Sequence, residues 1–168
     1  MNHRGSLARR RAASYLLGLV VCAAPLLANA TVTCSISALS SVAFGIYNPF
    51  SATALDSVAT ASITCSTTRS NETVNLSITA SAGTAGTFSP RQMQGPGVNR
   101  LNYNVYIDAG RIQIFGTGAG GTYADTGSAS LSRNNPFTFA ETLYARIPAG
   151  QDVAVGSYSD VLIYTINF

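Results

Sequence analysis

No lysine and no tryptophan occur in the 168 residues, and the single histidine is His3, at the very start. Beyond that point the chain cannot assemble the nucleophile–base pairs of acyl transfer, whether Ser-His-Asp, Cys-His or Ser-Lys. Imidazole is equally missing as a metal ligand, and the three cysteines show no CxxC spacing, so a zinc site is not expected. Charge is scarce at 10% of residues. The seven acids are Asp56, Glu72, Asp108, Asp125, Glu141, Asp152 and Asp160. Most stand in or beside turns, where aspartate bonds its local backbone, which leaves little for a glycosidase-like carboxylate pair. The glycine-rich run 116–122 lacks the Lys-Ser/Thr ending and following helix of a phosphate loop, and reads as a hairpin connection. The chain is therefore not expected to be an enzyme or to hold a cofactor or metal. Helical spacing is missing too, since no window of 11 or more residues shows it after the first thirty.

Those first thirty form an export signal. Arg4, Arg9, Arg10 and Arg11 precede an apolar run from Ala12 to Ala24, which Pro25 ends. Ala28-Asn29-Ala30 then supplies a small-x-small cleavage site, placing the cut after Ala30. The run falls short of the roughly 20 residues a membrane-spanning helix needs, so no membrane insertion is expected after cleavage. Cys22 follows Val21 where a lipoprotein wants a small residue. Residues 1–30 are thus read as a signal peptide and 31–168 as one domain of ordinary size. The mature chain keeps six arginines against seven acids, a net charge of −1. The basic pI belongs to the leader, and no nucleic-acid partner is implied. Arg91, Arg100, Arg111, Arg133 and Arg146 are spaced singly and read as solvated loop and strand ends. In an exported chain the remaining pair, Cys34 and Cys65, reads as a disulfide, the alternatives being two separate buried thiols or a metal site.

Alternation of period two runs through most of the mature chain. It marks strands near 31–36, 42–47, 57–65, 73–80, 101–108, 112–115 and 137–147, with 81–100 as a long Gly/Ser/Pro-rich excursion. The last stretch places Leu162, Tyr164, Ile166 and Phe168 on one face, and the chain stops on that aromatic residue. Short strands with turn signals every eight to twelve residues predict an all-β sandwich or barrel. Aromatics on apolar faces are expected in its core.

Five stretches carry a likeness that periodicity alone does not. They are TCSIS (Thr33–Ser37), VAFGIYNPF (Val42–Phe50), FSPRQM (Phe88–Met93), LNYNVYIDA (Leu101–Ala109) and ARIPAGQDV with GSYSDVLIYTINF toward the end. In this order they resemble the spore coat protein U domain family, itself similar to subunits of archaic chaperone–usher pili. The resemblance implies an incomplete immunoglobulin-like β-sandwich missing its final strand. Its groove is filled first by a periplasmic chaperone and later by a neighbouring pilus subunit, with secretion through an outer-membrane usher. Leu162, Tyr164, Ile166 and Phe168 are then expected to line that partner-strand groove, and the product to pass from the periplasm to the cell surface or beyond. Only Thr31 to Thr33 separate the expected cut from Cys34. That is too short for a donor arm, so a strand acceptor at the fibre tip is expected. The alternatives are a self-complete spore-coat or matrix protein and an adhesin binding a surface glycan.

Overall fold

The computed structural model describes residues 32–168; the leader expected at 1–30 lies outside them. Among the described residues eight strands, without a helix, form two antiparallel sheets. In chain order they are β1 (Val32–Leu39), β2 (Leu55–Thr67), β3 (Glu72–Ala80), β4 (Arg91–Gln94), β5 (Arg100–Tyr106), β6 (Asp125–Leu131), β7 (Phe137–Ile147) and β8 (Tyr164–Asn167). The five-stranded sheet runs β1-β2-β7-β5-β4 and the three-stranded sheet β6-β3-β8. This is the immunoglobulin-like sandwich that the family resemblance implied.

Its spine is the β2–β7 pair, in register from Leu55↔Ile147 to Cys65↔Phe137. Alternation sends Ala59, Ala61, Ile63 and Cys65 inward from β2, and Leu143, Ala145 and Ile147 from β7. They meet Val74, Leu76, Ile78 and Ala80 of β3 across the interior. Covering a large aliphatic side chain is worth about 1.5–3 kcal/mol, so these three strands supply much of the stability. β1 lies along the outer edge of β2, where Cys34 faces Cys65 and the two are joined by a disulfide. Closing a separation of 31 residues is worth about 3–4 kcal/mol in the chain-entropy picture. The β1 register shifts between Ile36 and Ala38. Such a bulge bends the bulged strand, and soon after it the chain leaves the β2 ladder.

Four local expectations change. Val42 to Tyr47 alternates as a strand does, and Val42, Phe44 and Tyr47 pack on the core, yet the segment pairs with no strand. Ile112 to Phe115 reduces to isolated bridges, Ile114 with Tyr106 and Phe115 with Tyr123. β6 carried no strand signal because its residues are small. Gly127 is required there, since a Cβ would strike the Phe139 ring. The fourth is a correction to the excursion 81–100 and to Arg91. β4 forms inside the excursion, and Arg91 is 0% exposed, not solvated. Its Nη2 donates to Ser81 O at 2.8 Å and Phe115 O at 2.6 Å, its Nη1 to Asn104 Oδ1 at 2.8 Å, and its Nε to Ser81 O. The Phe88 ring lies 4.9 Å beneath it. Burial lowers its pKa, but these carbonyl acceptors compensate the buried cation.

Arg91→Met keeps the stem and removes every donor, stranding two carbonyls and an amide. The expected loss is about 3 kcal/mol or more, read as a lower midpoint in chemical denaturation; Arg100→Met, at an exposed site, should shift it by less than about 0.5 kcal/mol.

Candidate functional site: an open cleft beside the last strand

β8 pairs with β3 on one side only, from Ser77↔Asn167 to Ala80↔Tyr164. Just before it, Ile163 O accepts from Ser81 N and Ile163 N donates to Ser81 Oγ. Main-chain groups of an extended strand alternate in direction. Those of Ile163, Thr165 and Asn167 therefore face β3, and those of Leu162, Tyr164, Ile166 and Phe168 face away. Among the described residues nothing pairs with that outward edge.

Beside the edge lies a cleft of about 900 Å³. Its floor is core: Ala59, Ala80, Leu101, Tyr103, Val105, Phe115, Leu143 and Ile147. One wall is the segment from Leu39 to Tyr47, the other runs from Val153 through Leu162 to Tyr164. The main chain of 41–47 is as open as that of β8. Among the described residues its one bond is Ala43 O accepting from Ser57 Oγ at 2.7 Å. Apolar side chains stand exposed on both walls, Ile46 at 94% and Val155 at 98%.

Both walls are pinned at their ends. Ser40 N donates to Thr60 O at 2.9 Å at the start of the first. At its far end the Tyr47 hydroxyl donates to Pro148 O and accepts from Gln151 N at 2.8 Å. The Gln151 side chain in turn accepts from Asn102 N and donates to Asn102 O. The second wall is fastened by Gly156 to Asp160. Gly156 sits against Pro96, Tyr158 lies over Gly95 where a Cβ would collide, and Ser159 exchanges both backbone bonds with Gln94. Asp160 closes the set. Its Oδ1 accepts from Thr84 N at 2.9 Å, Thr84 Oγ1 at 2.6 Å and Val161 N at 2.8 Å, and its Oδ2 from the Tyr103 hydroxyl at 2.7 Å. Gly83, at φ +80°, leaves the room this carboxylate occupies. Burial pushes the Asp160 carboxyl up, but the bonds from Thr84, Tyr103 and Val161 together hold it below the usual range. Burial and the Asp160 bond raise the Tyr103 phenol.

Of the four residues expected to line the groove, Leu162 and Tyr164 do line the cleft. Ile166 packs on the core outside it, and the Phe168 side chain is 57% exposed at the chain end. Sequence reasoning missed the opposite wall as an open edge. The period-two pattern reports side-chain burial, which holds for Val42 and Phe44 and breaks after Gly45, where Ile46 is exposed and Tyr47 packs inward; it is blind to whether the backbone is paired. Asp108 behaves as a turn aspartate, accepting from Ile112 N and Gln113 N, whereas Glu141 is buried in mid-strand. Tyr123 is exposed in the connection after the glycine run.

Comparison with known proteins adds two findings. The family model of the Spore Coat Protein U domain matches residues 21–165. The fold is similar to a crystal structure of the CsuC–CsuE chaperone–tip adhesion subunit pre-assembly complex, from archaic chaperone–usher Csu pili of Acinetobacter baumannii. That likeness has a TM-score of 0.51 at 15% identity, and covers 82% of this chain but 40% of the matched one. No curated protein matches the chain in sequence.

Asp160→Ala should release the second wall, at a cost of about 2–4 kcal/mol for the stranded donors, with faster amide exchange at Thr84 and Val161. The depressed carboxyl also sets a sign. Its stabilisation is present above the ordinary value of 3.8 and is lost as pH falls through the lower folded value. Acid titration of the unfolding midpoint below pH 4 should therefore be less steep in Asp160→Asn than in wild type.

Proposed function

We propose, for a chain that belongs to the Spore Coat Protein U domain family, that the cleft receives one extended strand from another polypeptide. The reading rests on one observation: two stretches of main chain without a strand partner, the outer edge of β8 and the segment 41–47, line opposite sides of one apolar cleft. An inserted strand pairs its N–H and C=O groups with the outward groups of Leu162, Tyr164, Ile166 and Phe168 on one side. On the other it meets the open backbone of 41–47. Its alternate side chains cover the floor, with about 25 cal/mol gained per Å² of apolar surface removed from water.

The chain is thereby an exported subunit of a surface pilus. A periplasmic chaperone fills the cleft first, an outer-membrane usher passes the subunit outward, and a neighbouring subunit's arm replaces the chaperone strand. The described part of the first strand supports an acceptor at the fibre tip. β1 is paired to β2 from Val32 to Leu39 and bonded covalently at Cys34, so it is not a segment that can be lent.

Refolding of the oxidised chain, alone and with a peptide of alternating valine and threonine capped by lysines, tests this. Alone it should aggregate or unfold at low temperature. With peptide it should give a one-to-one complex with a markedly higher midpoint. A monomeric, cooperatively folding chain indifferent to the peptide would instead support the self-complete coat or matrix reading.

A further inference from the structure

Where β8 meets the opposite sheet, the interior holds a carboxyl with no cation beside it. Glu141 points inward from β7 between Phe139 and Leu143 and is 7% exposed. The Tyr164 hydroxyl crosses the sandwich to donate to its Oε2. Its Oε1 is buried with no bonding partner. The third member is Asp125, which opens β6 on the same inward face as Gly127, Ala129 and Leu131. Asp125 and Ile166 both pair with Ile78, from the two sides of β3. Glu141 thus lies opposite a row whose ends are β6 and β8. The residue paired to it on β2 is Ala61, and β3 turns Val74, Leu76, Ile78 and Ala80 inward, none of which titrates. Its titratable neighbours are therefore one phenol and one carboxyl. Two carboxyls without a cation share a proton readily and resist carrying two charges.

Resting on the strand-capture reading above, we propose that Glu141 is the positioning residue for the β8 wall of the cleft. Protonated, its Oε1–H donates to Asp125 while Oε2 accepts from Tyr164, tying β8 to the rest of the sandwich. Ionised, it repels Asp125 on β6, and this outweighs the stronger bond that the carboxylate accepts from Tyr164, so the β6-β3-β8 sheet that carries the wall loosens and a captured strand is held firmly at lower pH and released faster at higher pH. Tyr164 is the lever. It lines the cleft, and its ring meets Phe115 of the floor edge-on at 5.9 Å. The range agrees with the chemistry around the group. Burial raises the Glu141 carboxyl to about 7, with Asp125 adding to the rise and the Tyr164 bond opposing it. A folded value above the ordinary 4.5 means stabilisation present at low pH and lost as pH rises through about 7.

The chain loaded with fluorescent valine–threonine peptide should release it about fivefold faster at pH 8 than at pH 6, tenfold being the limit set by a difference of one pKa unit between loaded and loosened states. Glu141→Gln, which cannot ionise, should release it at one rate at both. Tyr164→Phe removes a bond that favours the ionised carboxyl, so its transition should move to higher pH. The same pH dependence in Glu141→Gln as in wild type overturns the assignment. If neither protein retains peptide at any pH, the strand-capture reading fails instead. Glu141 is then judged on the free chain, whose unfolding midpoint should fall between pH 6 and 8 in wild type and stay level in Glu141→Gln; an equal fall in both overturns it. Should Glu141→Gln not fold, an unshifted transition in Tyr164→Phe does the same.

Discussion

Every backbone N–H and C=O in a folded chain needs a partner, in the protein or in water, and this fold leaves two facing rows of them without one from its own strands. The edge of β8 and the segment 41–47 stand on either side of a cleft whose floor is buried core and whose walls carry exposed apolar side chains. Water can hydrate the polar groups, but it cannot cover the wall residues Ile46 and Val155 without the cost of wetting apolar surface. An open edge is ordinarily blunted by charge, proline or a covering loop. Here no charged residue follows Asp160.

A cleft of this kind would close if its walls were free to fall together. They are not, because each is fastened at its ends to a different part of the frame. The first wall hangs from Thr60 on β2 and from the Pro148–Gln151 turn through Tyr47. The second is held to the β4–β5 hairpin through Ser159, and to the Gly83–Thr84 turn through Asp160. Behind them the long β2–β7 pairing and the disulfide brace the five-stranded sheet, and Arg91 ties it to Ser81 at the end of β3. Of the family-like sequence, PAGQ fastens one wall through Tyr47 and GSYSD fastens the other through Ser159 and Asp160.

The two charged groups deepest in the molecule make a useful contrast. Arg91 is a cation surrounded by oxygen acceptors, two carbonyls and an amide, which leaves it charged and structural. Glu141 is an acid beside a second acid, with one oxygen unmatched, and burial raises its carboxyl above the ordinary range. The first fixes the floor of the cleft through Ser81 and Phe115. The second is joined to the β8 edge through Tyr164. Their difference lies in the neighbours, since both are buried and both are hydrogen-bonded.

Period-two patterning and turn chemistry were enough to place the long strands, because side-chain alternation is a local property of an extended backbone. The Cys34–Cys65 pairing was likewise legible, resting on an even cysteine count in a chain expected to be exported. β6 was not legible, as Thr126, Gly127, Ser128 and Ala129 become a strand through contact with Phe139 and pairing with β3. Nor was the depth of Arg91, whose partners lie 10 to 24 positions away. Leu162 and Tyr164 at the cleft followed from alternation, while the outward turn of Phe168 followed from where the β3 ladder ends. The sequence by itself determined which residues face inward along each strand, for that needs only a chain's own geometry. Tertiary structure alone decided which backbones are left unpaired, because a hydrogen bond between strands depends on what stands alongside, and that neighbour is never adjacent in sequence.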